Sequence, residues 1–246
     1  MKKSKKIWII LASACIILGC AAAGAAAAYV GFDFTTFNSV QLDKKTYTIT
    51  ESFENIELQS AGCDVVLLPA KKDTCEIVCA ESDAITHNVS VENDTLKIVR
   101  TDTRKWYEKI GVFFGTSNIT VCIYLPEKTY DILRISSEEG NIALTGSLSL
   151  NKAELNASSG DITVKNTIAK EKLFVKSTSG NVSLESCDSK DIVIETTSGD
   201  VNGSLRSEKN FAATTKSGDI SLPDSRSSSQ TCTVSTTSGD IRFAIE

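Results

Sequence analysis

The sequence predicts an all-β protein, a single-chain parallel β-solenoid with about 20 residues per coil, preceded by one N-terminal transmembrane helix. Three observations lead to this fold class. A Gly–Asp or Gly–Asn motif recurs every 19 to 21 residues in the second half of the chain, apolar and polar residues alternate around each motif, and residues 7–32 contain no charged side chain. The 246 residues therefore divide into residues 1–32, 33–130 and 131–246.

Residues 1–32 have the pattern of a cytoplasmic lysine-rich tip followed by a membrane anchor. Lys2, Lys3, Lys5 and Lys6 precede 26 uncharged residues, and about 20 apolar residues suffice to span a bilayer as a helix. Because lysines that flank a span stay in the cytoplasm, the rest of the chain is predicted to lie outside. The expected location is a single pass through the cell membrane, with the helix as the membrane contact and the C-terminal domain extracytoplasmic.

Two other processing routes remain open for the same segment. Ile17-Leu18-Gly19-Cys20 is similar to a bacterial lipobox, in which Cys20 is the lipidated residue. The small residues of Ala26-Ala27-Ala28 are typical of a signal-peptide cleavage site. The uncharged run continues for a dozen residues past Cys20, which favours the helical anchor over the lipoprotein. All three routes place the domain outside the cytoplasmic membrane.

Six corner motifs predict the regular repeat in residues 131–246. Glycine takes a positive φ without a steric penalty, and an Asp or Asn after it can hydrogen-bond to nearby backbone. The motif is therefore interpreted as a repeated structural turn. The turn glycines are Gly140, Gly160, Gly180, Gly199, Gly218 and Gly239, and the residues that follow them are Asp161, Asp200, Asp219 and Asp240, with Asn141 and Asn181 in the other copies.

Hydrophobic alternation flanks every corner. A period of two places one face of a strand in a core, and a single unit of this size buries that face only against stacked neighbours. We therefore expect a set of apolar pairs to point inward. Before the corners they are Leu133/Ile135, Ala153/Leu155, Leu173/Val175, Ile192/Ile194, Phe211/Ala213 and Cys232/Val234; after them they are Ile142/Leu144, Ile162/Val164, Val182/Leu184, Val201/Gly203, Ile220/Leu222 and Ile241/Phe243.

Residues 33–130 are strand-like but irregular, and they are predicted to form the first coils and the cap of the solenoid. Gln59 to Val66 is similar to a degenerate corner, and the alternation from Val89 to Val99 around Asn93-Asp94 is typical of a hairpin. His87 lies at a predicted strand end, where a solvated histidine is expected.

This portion also contains an aromatic cluster flanked by charged residues. The favoured interpretation is that the cluster caps an open end of the core, where an unpaired edge would otherwise recruit other chains. The alternative is an exposed contact for a partner or a membrane. The aromatic residues are Trp106, Tyr107, Phe113 and Phe114.

The cysteines of the β-rich portion admit three interpretations. Free buried thiols that pack as small hydrophobic side chains are favoured. A chain of this length does not need a disulfide framework to fold, and Cys75-x3-Cys79 lacks the second pair or nearby histidine of a zinc site. The residues concerned are Cys63, Cys75, Cys79, Cys122, Cys187 and Cys232.

Charge and spacing narrow the function. Acidic residues outnumber basic ones by 31 to 26, and four of the lysines belong to the tip, so nucleic-acid binding is not expected. The corner acids could hold a divalent cation, or cleave a polysaccharide as paired carboxylates do in glycosidases. They recur from coil to coil instead of converging with Arg, Lys or His, which favours turn chemistry and predicts no catalytic residue, metal or cofactor.

Taken together, these features resemble those of a known family. The charged N-terminus and apolar span, Gly31-Phe32-Asp33-Phe34, Arg104-Lys105-Trp106-Tyr107 with its Phe-Phe, and the Ser-Gly-Asp repeats are similar to the bacterial "putative adhesin", or toast-rack, family of β-strand-repeat proteins. The resemblance covers essentially the whole chain. It implies an extracytoplasmic β-solenoid on a membrane anchor, with a role in adhesion or envelope-stress sensing, and it supplies no catalytic residue.

The predicted function is therefore that of a non-catalytic, membrane-anchored adhesion, scaffold or envelope-sensing module. Its expected partner is an envelope protein or a wall glycan. The alternative from another class is a polysaccharide-acting β-helix enzyme that uses the stacked Asp edge.

Overall fold

The computed structural model describes residues 3–29, 42–104, 120–224 and 228–246. The chain forms two compact units, one comprising Met1–Gln41 and Lys105–Ser117 and the other Leu42–Arg104 and Asn118–Glu246.

The described helix of the first unit is α1, which runs from Lys3–Tyr29. Within the ranges described, no helix combines the length and the apolar character needed to cross a membrane. The predicted transmembrane helix is not confirmed.

The second unit is built from strands, so the prediction of a mostly β domain is confirmed. The eighteen strands are β1 Asp43–Ile49, β2 Asn55–Ser60, β3 Asp64–Pro69, β4 Cys75–Glu81, β5 Ile85–Glu92, β6 Thr95–Asp102, β7 Thr120–Leu125, β8 Thr129–Glu139, β9 Ile142–Leu144, β10 Leu148–Ser159, β11 Ile162–Lys165, β12 Thr167–Ser179, β13 Val182–Ser198, β14 Val201–Leu205, β15 Asn210–Thr214, β16 Ile220–Ser221, β17 Thr231–Ser235 and β18 Ile241–Ile245.

The strands pair in two ladders. Ladder A has the order β1-β4-β7-β3-β9-β11-β13-β14-β18-β16. Ladder B has the order β5-β6-β2-β8-β10-β12-β13-β17-β15. The long strand β13 takes part in both ladders, its first half in A and its second half in B, so all eighteen strands belong to one sheet.

Pairing between the repeat coils is parallel and in register. Ile162 lies opposite Ile142 on one side and Val182 on the other, and Leu173 lies opposite Ala153 and Ile192. Because the side-chain period of a strand is two, this register keeps the same face of every coil turned inward.

The sheet as a whole is mixed, which corrects the expectation of purely parallel coils. Strands β1 and β4, β4 and β7, and β5 and β6 pair in antiparallel fashion. Antiparallel neighbours can be joined by a tight turn, and the hairpin predicted at Asn93-Asp94 is confirmed, since both residues have a positive φ between β5 and β6. These strands lie at one end of each ladder and cover the edge of the parallel pairs.

The coils do not stack in chain order at either end. The β2/β3 coil lies between β6/β7 and β8/β9, and the β17/β18 coil lies between β13/β14 and β15/β16. Every coil presents the same kind of strand edge. A coil that comes later in the chain can therefore pair between two earlier coils instead of at the end of the stack. The order of coils in sequence is therefore not their order in space.

The core follows the predicted inward pairs except in the β15/β16 coil. The paired apolar residues of the other coils are buried. In the β15/β16 coil, Phe211, Ala213 and Leu222 are only partly buried and Ile220 is 44% exposed. Among the described residues this coil has a neighbouring coil on one side only, which explains why its apolar residues are more exposed than those of the other coils.

Candidate functional site

The corner glycines stack directly on one another. Each has a positive φ, from 116° at Gly140 to 145° at Gly218. A Cβ built on Gly160 would lie 2.3 Å from the carbonyl oxygen of Gly140, and one built on Gly180 would lie 2.1 Å from that of Gly160. Glycine is required at the corner for two separate reasons, the backbone conformation and the close approach of the next coil.

The residue after each glycine links its coil to the next one. In every coil but the last, its side-chain Oδ1 accepts a hydrogen bond from the backbone N–H of the equivalent residue in the neighbouring coil, at 2.7 to 2.9 Å, and Asp219 in the last coil contributes its N–H. We call this chain of bonds the corner ladder. From one end to the other it contains Asp64, Asn141, Asp161, Asn181, Asp200, Asp240 and Asp219.

This geometry explains why Asp and Asn interchange along the ladder. Both offer an Oδ1 acceptor, and only that oxygen is needed to pair the next amide. At the end of the ladder the Asp219 N–H, together with the Arg242 guanidinium 2.6 Å from Oδ2, lowers the pKa of Asp240. Within the described residues, no group of three or more His, Cys, Asp or Glu side chains is placed to hold a metal ion.

A buried polar cluster in ladder A and ladder B was missed by sequence reasoning. The Glu81 carboxylate accepts hydrogen bonds from Tyr47 Oη at 2.7 Å, from the His87 backbone N–H at 2.9 Å and from Lys45 Nζ at 3.0 Å. His87 Nδ1 lies 3.2 Å from the same carboxylate. The expectation of a solvated histidine is wrong, because the His87 side chain has no exposed surface.

Two titratable members of this cluster, His87 and Glu81, respond to burial differently. Burial lowers the pKa of His87, and the hydrogen bond to Glu81 opposes that shift only partly. Burial also disfavours the Glu81 carboxylate, but hydrogen bonds from Tyr47, Lys45 and the His87 amide outweigh it and lower the pKa of Glu81. A neutral His87 beside an ionised Glu81 is a structural arrangement, since both side chains are buried.

A second buried cluster surrounds Lys209, whose side chain has no exposed surface. Its Nζ donates hydrogen bonds to the Asp188 carboxylate and to Gln230 Oε1, and it lies 2.5 Å from Ser207 Oγ. A buried ammonium is tolerated only when it is paired and fully hydrogen-bonded. This cluster holds the connection before β15 against the start of the second half of β13. Nothing in the alternation pattern signals it, because Asp188 lies in β13 while Ser207 and Gln230 lie in two different connections.

The cysteines of the β unit are free thiols. Five are buried and Cys122 is half-buried. Burial raises the pKa of Cys75, Cys79 and Cys232 to about 12. These thiols behave as small core residues, as the favoured interpretation expects.

The outer face of ladder B has two adjoining hollows. One, of about 300 Å³, lies between β6, β2 and β8, and the other, of about 310 Å³, lies between β8, β10 and β12. Both are lined by Ile132 and Arg134, and the second adds Lys152, Lys172 and Phe174. We call this surface the ladder B groove.

Ion pairs on the groove are exposed. Arg134 lies 3.2 Å from Glu154, and Lys152 lies 3.1 Å from Glu171, with every side chain of these pairs at least 44% exposed. Exposed pairs contribute at most about 1 kcal/mol. Breaking these ion pairs therefore costs little free energy, so their charged groups can bind the polar groups of a ligand instead.

Two further predictions concern the aromatic cluster and the lipidation candidate Cys20. Trp106, Tyr107, Phe113 and Phe114 lie outside the described residues, so their role stays a prediction. Cys20 lies in α1 and is exposed.

Two solved structures are similar to this chain. A crystal structure described as a "putative cell adhesion protein" from Clostridium sporogenes ATCC 15579 is 13% identical, with a TM-score of 0.48, over 84% of this chain and 100% of that chain. A "putative adhesin" from Parabacteroides distasonis ATCC 8503 is 12% identical, with a TM-score of 0.43, over 84% and 98% of the respective chains. No curated protein matches the sequence.

The model of one protein family, Toastrack DUF4097, matches residues 53–246. That range includes the whole corner ladder and all strands from β2 to β18. The chain belongs to the Toastrack DUF4097 family.

Proposed function

We propose that this chain is a non-catalytic β-solenoid module outside the cytoplasmic membrane, which binds an envelope partner along its side in an adhesion, scaffold or sensing role. The observation that carries the proposal is the corner ladder. Asp161, Asp200 and Asp240 each use Oδ1 to accept a hydrogen bond from the amide of the next coil, so these acids serve the stack. The carboxylate of a catalytic acid would instead face a substrate, without a structural hydrogen bond to the next coil.

The ladder B groove is the surface that we assign to the partner. It combines an aromatic ring, Phe174, with three cationic side chains and the carboxylate of Glu154 on a parallel-stranded face. Lys172 Nζ lies 5.8 Å from the centre of the Phe174 ring. Such a surface suits a linear polymer that carries hydroxyl and anionic groups, because successive units can contact successive strands. A wall glycan has that chemistry.

The proposed location rests on residues 1–32. The lysine-rich tip and the 26 uncharged residues after it support export by any of the three routes, as an anchored protein, a lipoprotein or a cleaved precursor. In cells stripped of their wall, added protease should degrade the β unit from outside. Loss of lipid labelling and of membrane retention in Cys20→Ser would establish the lipoprotein route, and a chain found wholly in the cytoplasm would refute the location.

The binding experiment uses the full-length protein in detergent. Immobilised wall glycan is presented with the wild type and with a double variant, Arg134→Ser with Lys172→Ser, and both retention and release of soluble sugar are measured. We expect retention of the wild type, at least a tenfold loss in the double variant, and no sugar release. The matched control is Lys165→Ser, which removes an exposed lysine paired with Glu185 on ladder A.

Three results would count against the proposal, and each refutes a different part of it. Equal retention of the double variant and the control would refute the ladder B groove as the binding surface. Sugar release that disappears in Asp219→Asn would refute a non-catalytic role and establish the enzyme. Absence of retention for every protein would refute glycan binding itself.

A further inference from the structure

Lys209 is the one buried lysine among the described residues of the β unit, and its side chain has no exposed surface. The lysine of the other polar cluster, Lys45, is 54% exposed in its pairing with Glu81. A lysine amine is a nucleophile once it has given up its proton. Burial holds this nucleophile against fixed neighbours and keeps water, the competing nucleophile, away from it.

An acyl group lies beside Lys209 because of the pairing of β15 with β17. Asn210 lies opposite Thr231 in the parallel register, and the Asn210 N–H donates to the Gln230 carbonyl at 2.8 Å. Lys209 and Gln230 therefore occupy neighbouring positions immediately before the first pair of the two strands. Their side chains meet, since Lys209 Nζ donates a hydrogen bond to Gln230 Oε1. An amine and a carboxamide from two different connections are thus in direct contact.

The same cluster contains the groups that support an acyl transfer. The Asp188 carboxylate accepts a hydrogen bond from Lys209 Nζ, so it can receive a proton from the ammonium group. The Ser207 hydroxyl lies 2.8 Å from Asp188 Oδ1 and 2.9 Å from Gln230 Oε1. It can donate its proton to Oε1 as negative charge develops there, as a donor in an oxyanion hole does. A proton acceptor therefore lies beside the nucleophile, and a proton donor lies beside the carbonyl oxygen.

We propose that Lys209 and Gln230 join in an intramolecular isopeptide bond, which the folded protein forms by itself. Lys209 Nζ is the nucleophile and Gln230 Cδ is the acyl carbon. Asp188 carries protons between the attacking and the leaving nitrogen, and Ser207 stabilises the oxyanion. The bond is a modification site of the β unit, and it does not depend on the glycan binding proposed above.

The reaction balances with these four side chains alone. Asp188 takes one proton from the Lys209 ammonium, and the lone pair of the freed amine adds to Gln230 Cδ while the carbonyl π electrons move to Oε1. When those electrons return, the Cδ–Nε2 bond breaks and the leaving nitrogen takes the proton that Asp188 holds. The second proton on Nζ passes by way of Asp188 to the released ammonia. The products are an amide, an ammonium ion and the original Asp188 carboxylate.

The position of the cluster suits both the attack and the departure of the leaving group. Two well-oriented groups within one molecule react as if at an effective concentration of about 10⁵ to 10⁸ M. Lys209 is buried, so its amine is held in contact with the acyl group, whereas Gln230 is half-buried. The ammonium ion can therefore leave to solvent, which makes the amide the lasting product.

The bond closes the coil that has the fewest neighbours. Residues 209–230 comprise the β15/β16 coil and the connection after it. Among the described residues, this coil has a neighbouring coil on one side only. A covalent loop restricts the unfolded conformations of the residues that it encloses. The cross-link thus holds the end coil where its noncovalent packing is weakest.

Mass spectrometry of the full-length protein in detergent tests the bond. The matched variant is Lys209→Arg, which keeps the positive charge and the hydrogen-bond donors, but whose guanidinium stays protonated and cannot attack the amide. After correction for the substituted residue, we expect the wild type to be lighter than Lys209→Arg by one ammonia. The control is Lys45→Arg, which changes the lysine of the other polar cluster and should retain the loss of ammonia.

Digestion with trypsin locates the bond. Trypsin does not cleave after an acylated lysine, so residues 207–216 should stay intact and be joined to residues 227–242. Lys209→Arg should yield linear peptides only. Asp188→Asn removes the proton carrier and should slow formation of the bond at least a hundredfold, which leaves most of the purified variant without the cross-link. Circular dichroism checks that the variant is folded.

Each contrary result refutes the assignment. A wild type that is no lighter than Lys209→Arg would refute the bond, because the folded wild-type chain already contains every group that the reaction needs. A loss of ammonia that persists in Lys209→Arg would place it at another residue. A loss of water, with residues 207–216 joined to the peptide that contains Asp188, would refute Gln230 as the acyl group. None of these results changes the retention of the protein by a glycan.

Discussion

The aromatic ring of Phe243 occupies the space in which Gly203 would otherwise carry a side chain. The two residues are paired in register between β14 and β18, and a Cβ on Gly203 would lie 2.1 Å from Cε1 of Phe243. The corresponding positions of three other coils hold Leu144, Val164 and Leu184. The missing side chain of one coil is thus replaced by the large ring of its neighbour in space, which is not its neighbour in sequence.

This packing predicts a compensating pair of substitutions. Gly203→Leu should destabilise the β unit by about 1–3 kcal/mol, because the added atoms meet a ring with no space to move into. Phe243→Leu alone should also destabilise it by opening a cavity. The double variant should be more stable than the sum of the two losses implies, which chemical unfolding of all four proteins would measure as a coupling energy. Strict additivity would contradict the swapped order of the end coils.

The corner ladder predicts that Asn can substitute for Asp without loss of stability, whereas Ala cannot. Asp161→Ala removes the acceptor of the Asn181 N–H, and we expect a loss of about 0.5–1.5 kcal/mol, the net value of such a bond. Asp161→Asn retains Oδ1 and should change the stability by less than about 0.5 kcal/mol. Urea unfolding of the two variants beside the wild type measures the difference. Equal losses in both variants would show that the charge of Asp161, and not its acceptor oxygen, matters.

The sequence predicts the corners well because each corner is formed by adjacent residues and the same residue types recur in every coil. Gly160 and Asp161 are adjacent, and both the positive φ and the inter-coil bond follow from residue type. The spatial order of the coils cannot be predicted in this way. Ile220 and Ile241 occupy the same position of the repeat, so the pattern allows Val201 to pair with either of them. Its actual partner, Ile241, depends on the ring of Phe243. The environment of His87 depends on strand β1, whose Tyr47 lies 40 residues earlier in the chain, so no local pattern reports it.

The buried histidine predicts that stability falls on mild acidification. Burial keeps the pKa of His87 below its ordinary value of 6.5, so the unfolded chain binds a proton at a higher pH than the folded chain does. Stability is then greatest above the unfolded pKa and decreases as the pH falls below about 6.5. Glu81 contributes in the same direction at lower pH, because its folded pKa is below 4.5. The other charged groups beside His87 are Lys45 and Arg100, which also oppose its protonation.

The measurement is the free energy of unfolding between about pH 7.5 and pH 5.5, the range in which an unperturbed histidine titrates. His87→Asn removes the titrating ring and keeps the backbone N–H that bonds to Glu81. We expect the variant to be less stable at the higher pH but nearly independent of pH in this range. A wild-type stability that rises on acidification would contradict a buried neutral His87.

Thiol reactivity provides a test of the core cysteines. Because burial raises the pKa of Cys75, Cys79 and Cys232 to about 12, almost none of these thiols is ionised at neutral pH, and the thiolate is the reactive form. We expect no modification by iodoacetamide in the folded protein and complete modification after unfolding. Mass spectrometry of the labelled peptides assigns each site. Half-buried Cys122 is the internal comparison and should react first among the cysteines of the β unit.

The same type of substitution should cost more stability in the middle of the stack than at its end. Val182 has no exposed surface and Ile220 is 44% exposed, although the repeat gives both the same position after a corner glycine. Val182→Asp buries a charge without a partner and should cost about 3–5 kcal/mol, enough to unfold much of the stack. Ile220→Asp can direct its carboxylate to water and should cost less than about 1 kcal/mol. Thermal unfolding would compare them, and equal losses would mean that the β15/β16 coil is covered from within the same chain.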